Sequence, residues 1–348
     1  MRRRFVALLG ALAVIVGALS LATVPVAGQS RADTAKPAAA AKAWTPPKTA
    51  WGDPDLQGVF TFSTQTPLER PAALSGRETF TEAELQDLEE KAAEGHAAEG
   101  TPLRPGDPGT YNNFWTSSEK GRLTGRTSLI VDPPEGRKPP LTPQADTIRQ
   151  QRVAEAAGRR VGISVIYDSW ANHPAYTRCI ARPMPRIGQS YNHGIQVLQS
   201  PGYVVIFYES MHNARIVPLD GRPHLDKSIR QWDGDSRGRW EGNTLVIDWT
   251  NFTDKQEWEG SPQGSMHFIE RLTRVDAKTI RYEVTVDAPT VWAKLWKFDQ
   301  PWRTDDSNYQ QPEDLYEYAC HEGNYRTMSN SLVGSRLLRE QAAKQSSK

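Results

Sequence analysis

His193-Gly-Ile-Gln-Val-Leu-Gln199, Ser200-Pro-Gly202 and Tyr203-Val-Val-Ile-Phe-Tyr-Glu-Ser210 decide how the chain is read. Two runs rich in β-branched and aromatic residues flank a Pro-Gly pair, the pattern of an antiparallel hairpin. The same grammar continues to Phe298. Ala214-Arg-Ile-Val-Pro-Leu219 ends at an Asp220-Gly221 turn, and the polar turn Asp233-Gly-Asp-Ser-Arg-Gly238 leads into Trp240-Glu-Gly-Asn-Thr-Leu-Val-Ile-Asp-Trp249. Met266-His-Phe-Ile-Glu-Arg-Leu-Thr-Arg274 and Thr279-Ile-Arg-Tyr-Glu-Val-Thr-Val286 flank a turn at Val275-Asp-Ala-Lys278, and Val291-Trp-Ala-Lys-Leu-Trp-Lys-Phe298 closes the series. About seven or eight short strands with few helical interruptions predict a mainly β fold, an antiparallel barrel or meander.

The chain in front of this core reads differently. Met1-Arg-Arg-Arg4, the apolar run Phe5 to Val24 and the small residues Val26-Ala-Gly28 form the three parts of a secretory signal peptide over residues 1–28. Arg2 to Val6 also fits a twin-arginine export signal, and the route stays open. Residues 29–50, mostly Ala, Lys, Pro and Thr, are too poor in large apolar groups to pack and read as a flexible linker. Residues 51–190 read as a long irregular strap on the barrel, because Pro and Gly interrupt every periodic run. Two short helices are expected in it. One follows the capping box Thr81-Glu-Ala-Glu84, and the other follows Thr142-Pro143 and runs to Gly158. Val161 to Asp168 is expected to be one strand. Residues 191–335 are the β-barrel core with its closing tail, and 336–348 a disordered tail.

The 348 residues carry 42 Lys and Arg against 41 Asp and Glu, a net charge of +1. No excess of positive charge favours nucleic acid, so the expected partner is a small molecule or another protein. Once the signal is cleaved, no membrane span is expected. There are two cysteines, Cys179 and Cys320. In an exported chain the economical reading is a disulfide. Free thiols, or a shared metal with His321, are the alternatives. The location expected is periplasmic or secreted.

Three segments carry a resemblance: Pro218-Leu-Asp-Gly-Arg-Pro-His224, the run from Gly234 to Asp248, and Tyr316-Glu-Tyr-Ala-Cys-His-Glu-Gly-Asn-Tyr325. Together they resemble a family of exported bacterial proteins without an assigned activity, over roughly Trp51 to Gly334. The resemblance implies a lipocalin-like β fold and brings no site residue with it.

Function must therefore come from the residues. The chain has no His-Glu-x-x-His, phosphate loop or dinucleotide fingerprint, and its one Gly-x-Ser-x-Gly run, Gly234-Asp-Ser-Arg-Gly238, reads as a polar turn leading into a strand and not as the strand-to-helix elbow of a nucleophile. What stands out is charge inside strands. The alternation Tyr203, Val205, Phe207 ends in Glu209, and Glu270 sits between Met266, Phe268 and Leu272. If both faces line a calyx, desolvation raises the carboxyl pKa into the range of a general acid or base. Glu270, Glu209, His212, His267 and His321 are the candidate catalytic groups. Arg215 is the candidate for an anionic group, and Trp240, Trp249 and Trp292 are candidate apolar walls. No cofactor is expected, with a metal held by the dispersed histidines as the minor alternative. Two readings follow. One is an exported enzyme, of hydrolase, lyase or isomerase type, using acid/base chemistry on a small apolar or aromatic molecule. The other is a non-catalytic carrier of such a molecule, and an interaction module with an aromatic-filled interior is a third.

Overall fold

The computed structural model describes residues 44–99, 123–161, 164–188, 192–304 and 315–346. The expected signal peptide, most of the linker and strap residues 100–122 lie outside them. Fifteen strands and three α-helices are present among the described residues. The strands are β1 (Gly58–Thr61), β2 (Ile130–Asp132), β3 (Arg160–Val161), β4 (Ser164–Val165), β5 (Gly194–Ser200), β6 (Tyr203–Tyr208), β7 (Asn213–Pro218) and β8 (Asp235–Glu241). Then come β9 (Thr244–Thr250), β10 (Glu257–Trp258), β11 (Ser261–Pro262), β12 (His267–Arg274), β13 (Thr279–Asp287), β14 (Trp296–Asp299) and β15 (Trp302–Arg303). The helices are α1 (Glu82–Glu99), α2 (Pro143–Gly158) and α3 (Asn324–Ser346).

The fold is mainly antiparallel β. One 11-stranded sheet runs in the order β7-β6-β5-β1-β15-β13-β12-β9-β8, with β14 paired to β13 and β2 to β14. The hairpins form where the turn chemistry asks for them. Pro201 and Gly202, the latter at φ 79°, join β5 to β6 with Ser200 opposite Tyr203. Gly242 at φ 61° opens the two-residue turn between β8 and β9.

The sheet curls strongly. Arg215 on β7 and Glu270 on β12 are six strands apart in the order, a span of about 29 Å in a flat sheet at roughly 4.8 Å per strand, yet their side chains meet at 2.8 Å. The end strands also approach one another. A Cβ on Gly238 of β8 would lie 2.7 Å from Cγ1 of Val217 on β7. Among the described residues no ladder joins β7 to β8, so the sheet is not a closed ring. Its inner face is filled by aromatic rings: Trp258 stacks on Trp296 at 5.7 Å and meets Phe268 edge-on at 4.9 Å.

Three expectations are corrected. On β6 the buried residues are Val204, Ile206 and Tyr208, one position out of step with the Tyr203, Val205 and Phe207 face proposed from the sequence. Both alternations of this run are apolar, so period alone did not choose between them. Val161 to Asp168 is not one strand; β3 and β4 pair as a small antiparallel hairpin. Finally, the segment read as closing and disordered tail is helical from Asn324 through Ser346. Tertiary contacts supply what its weak apolar pattern lacks. Ser335 Oγ accepts from the Tyr167 amide at 2.9 Å, Ser331 Oγ lies 3.0 Å from His173 Nε2, and a Cys179–Cys320 disulfide anchors the chain four residues before the helix starts.

Both expected strap helices are present. Thr142 Oγ1 accepts from the Ala145 amide with Pro143 at the first turn of α2, and Thr81 and Glu84 exchange capping bonds at α1. The linker's end is not all loose, since Pro46 and Thr49 are buried.

Candidate functional site

Glu270 alternates with Phe268 and Leu272 on β12, and all three side chains face inward with no exposed surface. An isolated carboxylate there would cost several kcal/mol to desolvate. Two groups answer it. Arg215 of β7, 5% exposed, brings Nη2 to 2.8 Å from Glu270 Oε2, and the Tyr282 hydroxyl of β13 donates to Oε1. The Arg215 guanidinium carbon sits over the Trp249 ring, 3.8 Å from its centroid, and Trp249 Nε1 donates to the Asp233 carbonyl at 2.6 Å.

The electrostatics keep Arg215 charged. Burial acts to lower the Arg215 pKa, but Glu270 with the Tyr208 and Tyr282 phenols outweighs it, so the net direction is up. Burial raises both phenols well above their ordinary value, which keeps Tyr282 protonated as a donor to the Glu270 carboxyl. The ion pair is nevertheless imperfect. Nη2 is close to Oε2 but out of line for a hydrogen bond, and among the described residues Arg215 Nε and Nη1 find no acceptor.

Arg215 also lines a cleft of about 560 Å³ between β7 and the chain entering β8, with Ala214, Ile216, Trp232, Asp233 and Ser236. Asp233 is half-buried there, and Asn213 Nδ2 donates to its carboxylate at 2.9 Å. Burial pushes its pKa up to about 6, against the pull of Arg215. Ser236 Oγ is buried without a partner among the described residues. Another cleft of similar volume, beside α2, is lined by the exposed Arg149 and the half-buried Arg152, and the latter already pairs with Glu257.

The remaining sequence candidates fall elsewhere. Glu209 is buried at the end of β6, where Asn192 Nδ2 and the Gly194 amide each donate to it at 3.0 Å. His212 Nε2 accepts from the Tyr318 amide at 2.9 Å, and its ring stacks on Phe207. His321 is exposed. Trp292 packs against Trp258 and Trp296, away from the cleft, and Trp240 is half-buried with Nε1 unpaired among the described residues. The disulfide pairs Cys179 with Cys320. The interior set is therefore Arg215, Trp249 and Glu270, joined by Tyr208, Tyr282 and Asp233, which the sequence reading missed. Tyr208 and Tyr282 alternate with Val204 and Ile206, and with Ile280 and Val284. A phenol inside a strand otherwise apolar on that face was the available signal.

His267 points to the opposite face of β12. There a string of groups forms: Asp235 Oδ2 to His224 Nδ1 at 2.7 Å, His224 Nε2 to Asp248 Oδ1 at 2.9 Å, Asp248 Oδ1 to His267 Nε2 at 3.0 Å, and His267 Nδ1 to Asp287 Oδ2 at 3.4 Å. Among the described residues no group of three His, Cys, Asp or Glu is arranged to hold a metal. The Asp248 hydrogen bond raises the His267 pKa, with burial opposing it. A raised folded pKa means stability that is fully present below the unfolded value and lost as pH climbs through the folded one. Stability is therefore expected to fall on the alkaline side of about pH 6.5, and His267→Gln is expected to flatten that limb of a urea-unfolding pH series. An unchanged limb counts against the contact.

No known protein family matches the chain, and comparison with curated proteins finds no similar sequence.

Proposed function

We propose that the protein is an exported small-molecule binding protein, lipocalin-like in its curled sheet, whose site is the Arg215 cluster and the cleft beside it. One observation carries the reading. Among the described residues a guanidinium 5% exposed keeps Nε and Nη1 without an acceptor, whereas buried polar groups are as a rule paired, and a charged one left over is more costly still. These nitrogens have almost no accessible surface, so a guest reaches them only when the side chains that cover them move, and accepting from them then removes the cost. The cleft's volume lies in the range of small-molecule sites. The Cys179–Cys320 bridge suits an oxidising compartment, and periplasm or secreted medium is the proposed location. Among the described residues no helix is long and apolar enough to cross a membrane.

A second reading, an acid/base enzyme, rests on Asp233. Its carboxyl, pushed up to about 6, lines the same cleft and suits proton transfer near neutrality. Glu270, the sequence's choice for that role, is committed to Arg215 and Tyr282. Trp249 lies under Arg215, so occupancy reports in tryptophan emission. Screening small organic molecules against that emission is expected to find saturable changes, and with none the binding reading fails. Turnover of a hit that is lost in Asp233→Asn selects the enzyme.

A further inference from the structure

We infer that the ligand of this site carries a protonated amine, seated on the open oxygen of the Asp233 carboxylate, with its organic body lying in the cleft against Trp232. The inference rests on the binding reading above and adds the chemical class. This end of the guest meets atoms that solvent already reaches, so it displaces none of the side chains that cover Arg215.

The contacts of this carboxylate point to a cation. Asn213 Nδ2 donates to Asp233 Oδ1 at 2.9 Å. Oδ2 has no hydrogen bond among the described residues, yet it is not one of the buried unpaired atoms, so it keeps accessible surface where the residue lines the cleft. The cations around it are committed elsewhere. Among the described residues Arg215 pairs with Glu270, Arg230 donates to the Phe252 and Gly264 carbonyls, and Arg237 is held by Asp235. A half-buried carboxylate with one neutral donor is short of positive charge. An ammonium only donates and Oδ2 only accepts, so the two match, and a charge-assisted bond is about twice as strong as a neutral one. The remaining ammonium protons stay in the open cleft. One open oxygen suits one positive charge, whereas a metal ion asks for several ligands, and Asp235, the other carboxylate on the cleft, is taken by Arg237 and His224. The half-buried Trp232 supplies apolar surface for the organic body.

The pairing sets how binding responds to pH. Burial pushes the Asp233 pKa up to about 6. A protonated Asp233 offers the amine no charge, so binding draws on the ionised form, releases a proton near that pH and strengthens as pH rises through it. The ionisable groups around Asp233 are Arg215 of β7, balanced by Glu270 of β12, the Tyr208 phenol of β6, which burial keeps protonated, Arg230, and Asp235 with its partners Arg237 and His224. Replacing Asp233 separates its titration from that of His224.

Titration calorimetry of the full mature protein with benzylamine, and with benzyl alcohol as its neutral counterpart, tests the inference. At about pH 7.5 benzylamine is expected to bind about tenfold or more tighter than benzyl alcohol. Its affinity should fall by about tenfold on moving to about pH 5, although the amine itself stays protonated at both. Asp233→Asn should lose that pH response and weaken benzylamine by about tenfold or more. Glu241→Gln, in exposed ion pairs with Arg239 and Arg271, should change neither. If Asp233→Asn fails to fold, the pH response of the wild type must persist in His224→Gln. Benzyl alcohol binding as tightly as benzylamine, or a benzylamine affinity that does not rise with pH, overturns the amine class and leaves the binding reading standing. If neither probe binds, the emission screen decides. Protonated-amine hits whose affinity rises with pH uphold the class, neutral or anionic hits overturn it, and an empty screen ends both readings.

Discussion

Replacing Glu270 with alanine is expected to lower the unfolding free energy by about 3–5 kcal/mol, because it strands a desolvated guanidinium. Glu270 has no exposed surface and Arg215 has 5%, so solvent does not take over the missing contact. The Tyr282 hydroxyl loses its acceptor in the same step. The pair itself contributes far less than this loss suggests, since its Coulomb attraction first offsets two desolvations. The double variant Arg215→Met with Glu270→Leu should therefore recover most of the stability lost in Glu270→Ala. Urea unfolding of the three proteins measures this directly. A single variant within about 1 kcal/mol of wild type would mean that the charges are not buried as described. Recovery in the double variant, together with loss of any ligand, would locate the reason for keeping the pair in function rather than in stability.

Removing the disulfide is expected to cost about 5 kcal/mol in the chain-entropy treatment, given a sequence separation of 141 from Cys179 to Cys320. Its effect should concentrate on α3. Among the described residues the helix is held by few other polar contacts, such as Asn324 Nδ2 to the Thr177 carbonyl, Ser331 Oγ to His173, Ser335 Oγ to Tyr167 and an exposed Arg339–Asp168 ion pair. Unfolding midpoints with and without reductant give the energy. Hydrogen exchange gives the location, with amides of Asn324–Ser346 exchanging faster on reduction while those of β12 and β13 stay protected. Equal midpoints would show that the bridge adds nothing to the fold.

The strands were legible where one face is apolar and the other polar. On β12 the alternation gave both the element and its inward face, and Glu270 was placed correctly inside because Phe268 and Leu272 flank it; on β13 it gave the element. Where both faces are apolar, as on β6, the strand was legible and its orientation was not. Arg215 was singled out from its strand, but its pairing with Glu270 depends on a curl that brings together strands six places apart, and no local pattern encodes that. Asp233 and His224 looked like turn residues. What gives each a role is a contact from a distant element: Asn213 and the Trp249 indole reach Asp233, and Asp248 reaches His224. The third helix was hidden for the same reason, its anchors being single hydroxyls and one bridge.

The most direct measurement is a high-resolution crystal structure of the mature protein grown with a hit from the emission screen, read at the cleft beside Asp233. The expected result is the molecule seated in that cleft, against Trp232 and Asp233, with the Arg215–Glu270 and Glu270–Tyr282 contacts retained. A hit bound elsewhere on the protein, with only solvent in the cleft, would contradict the binding reading.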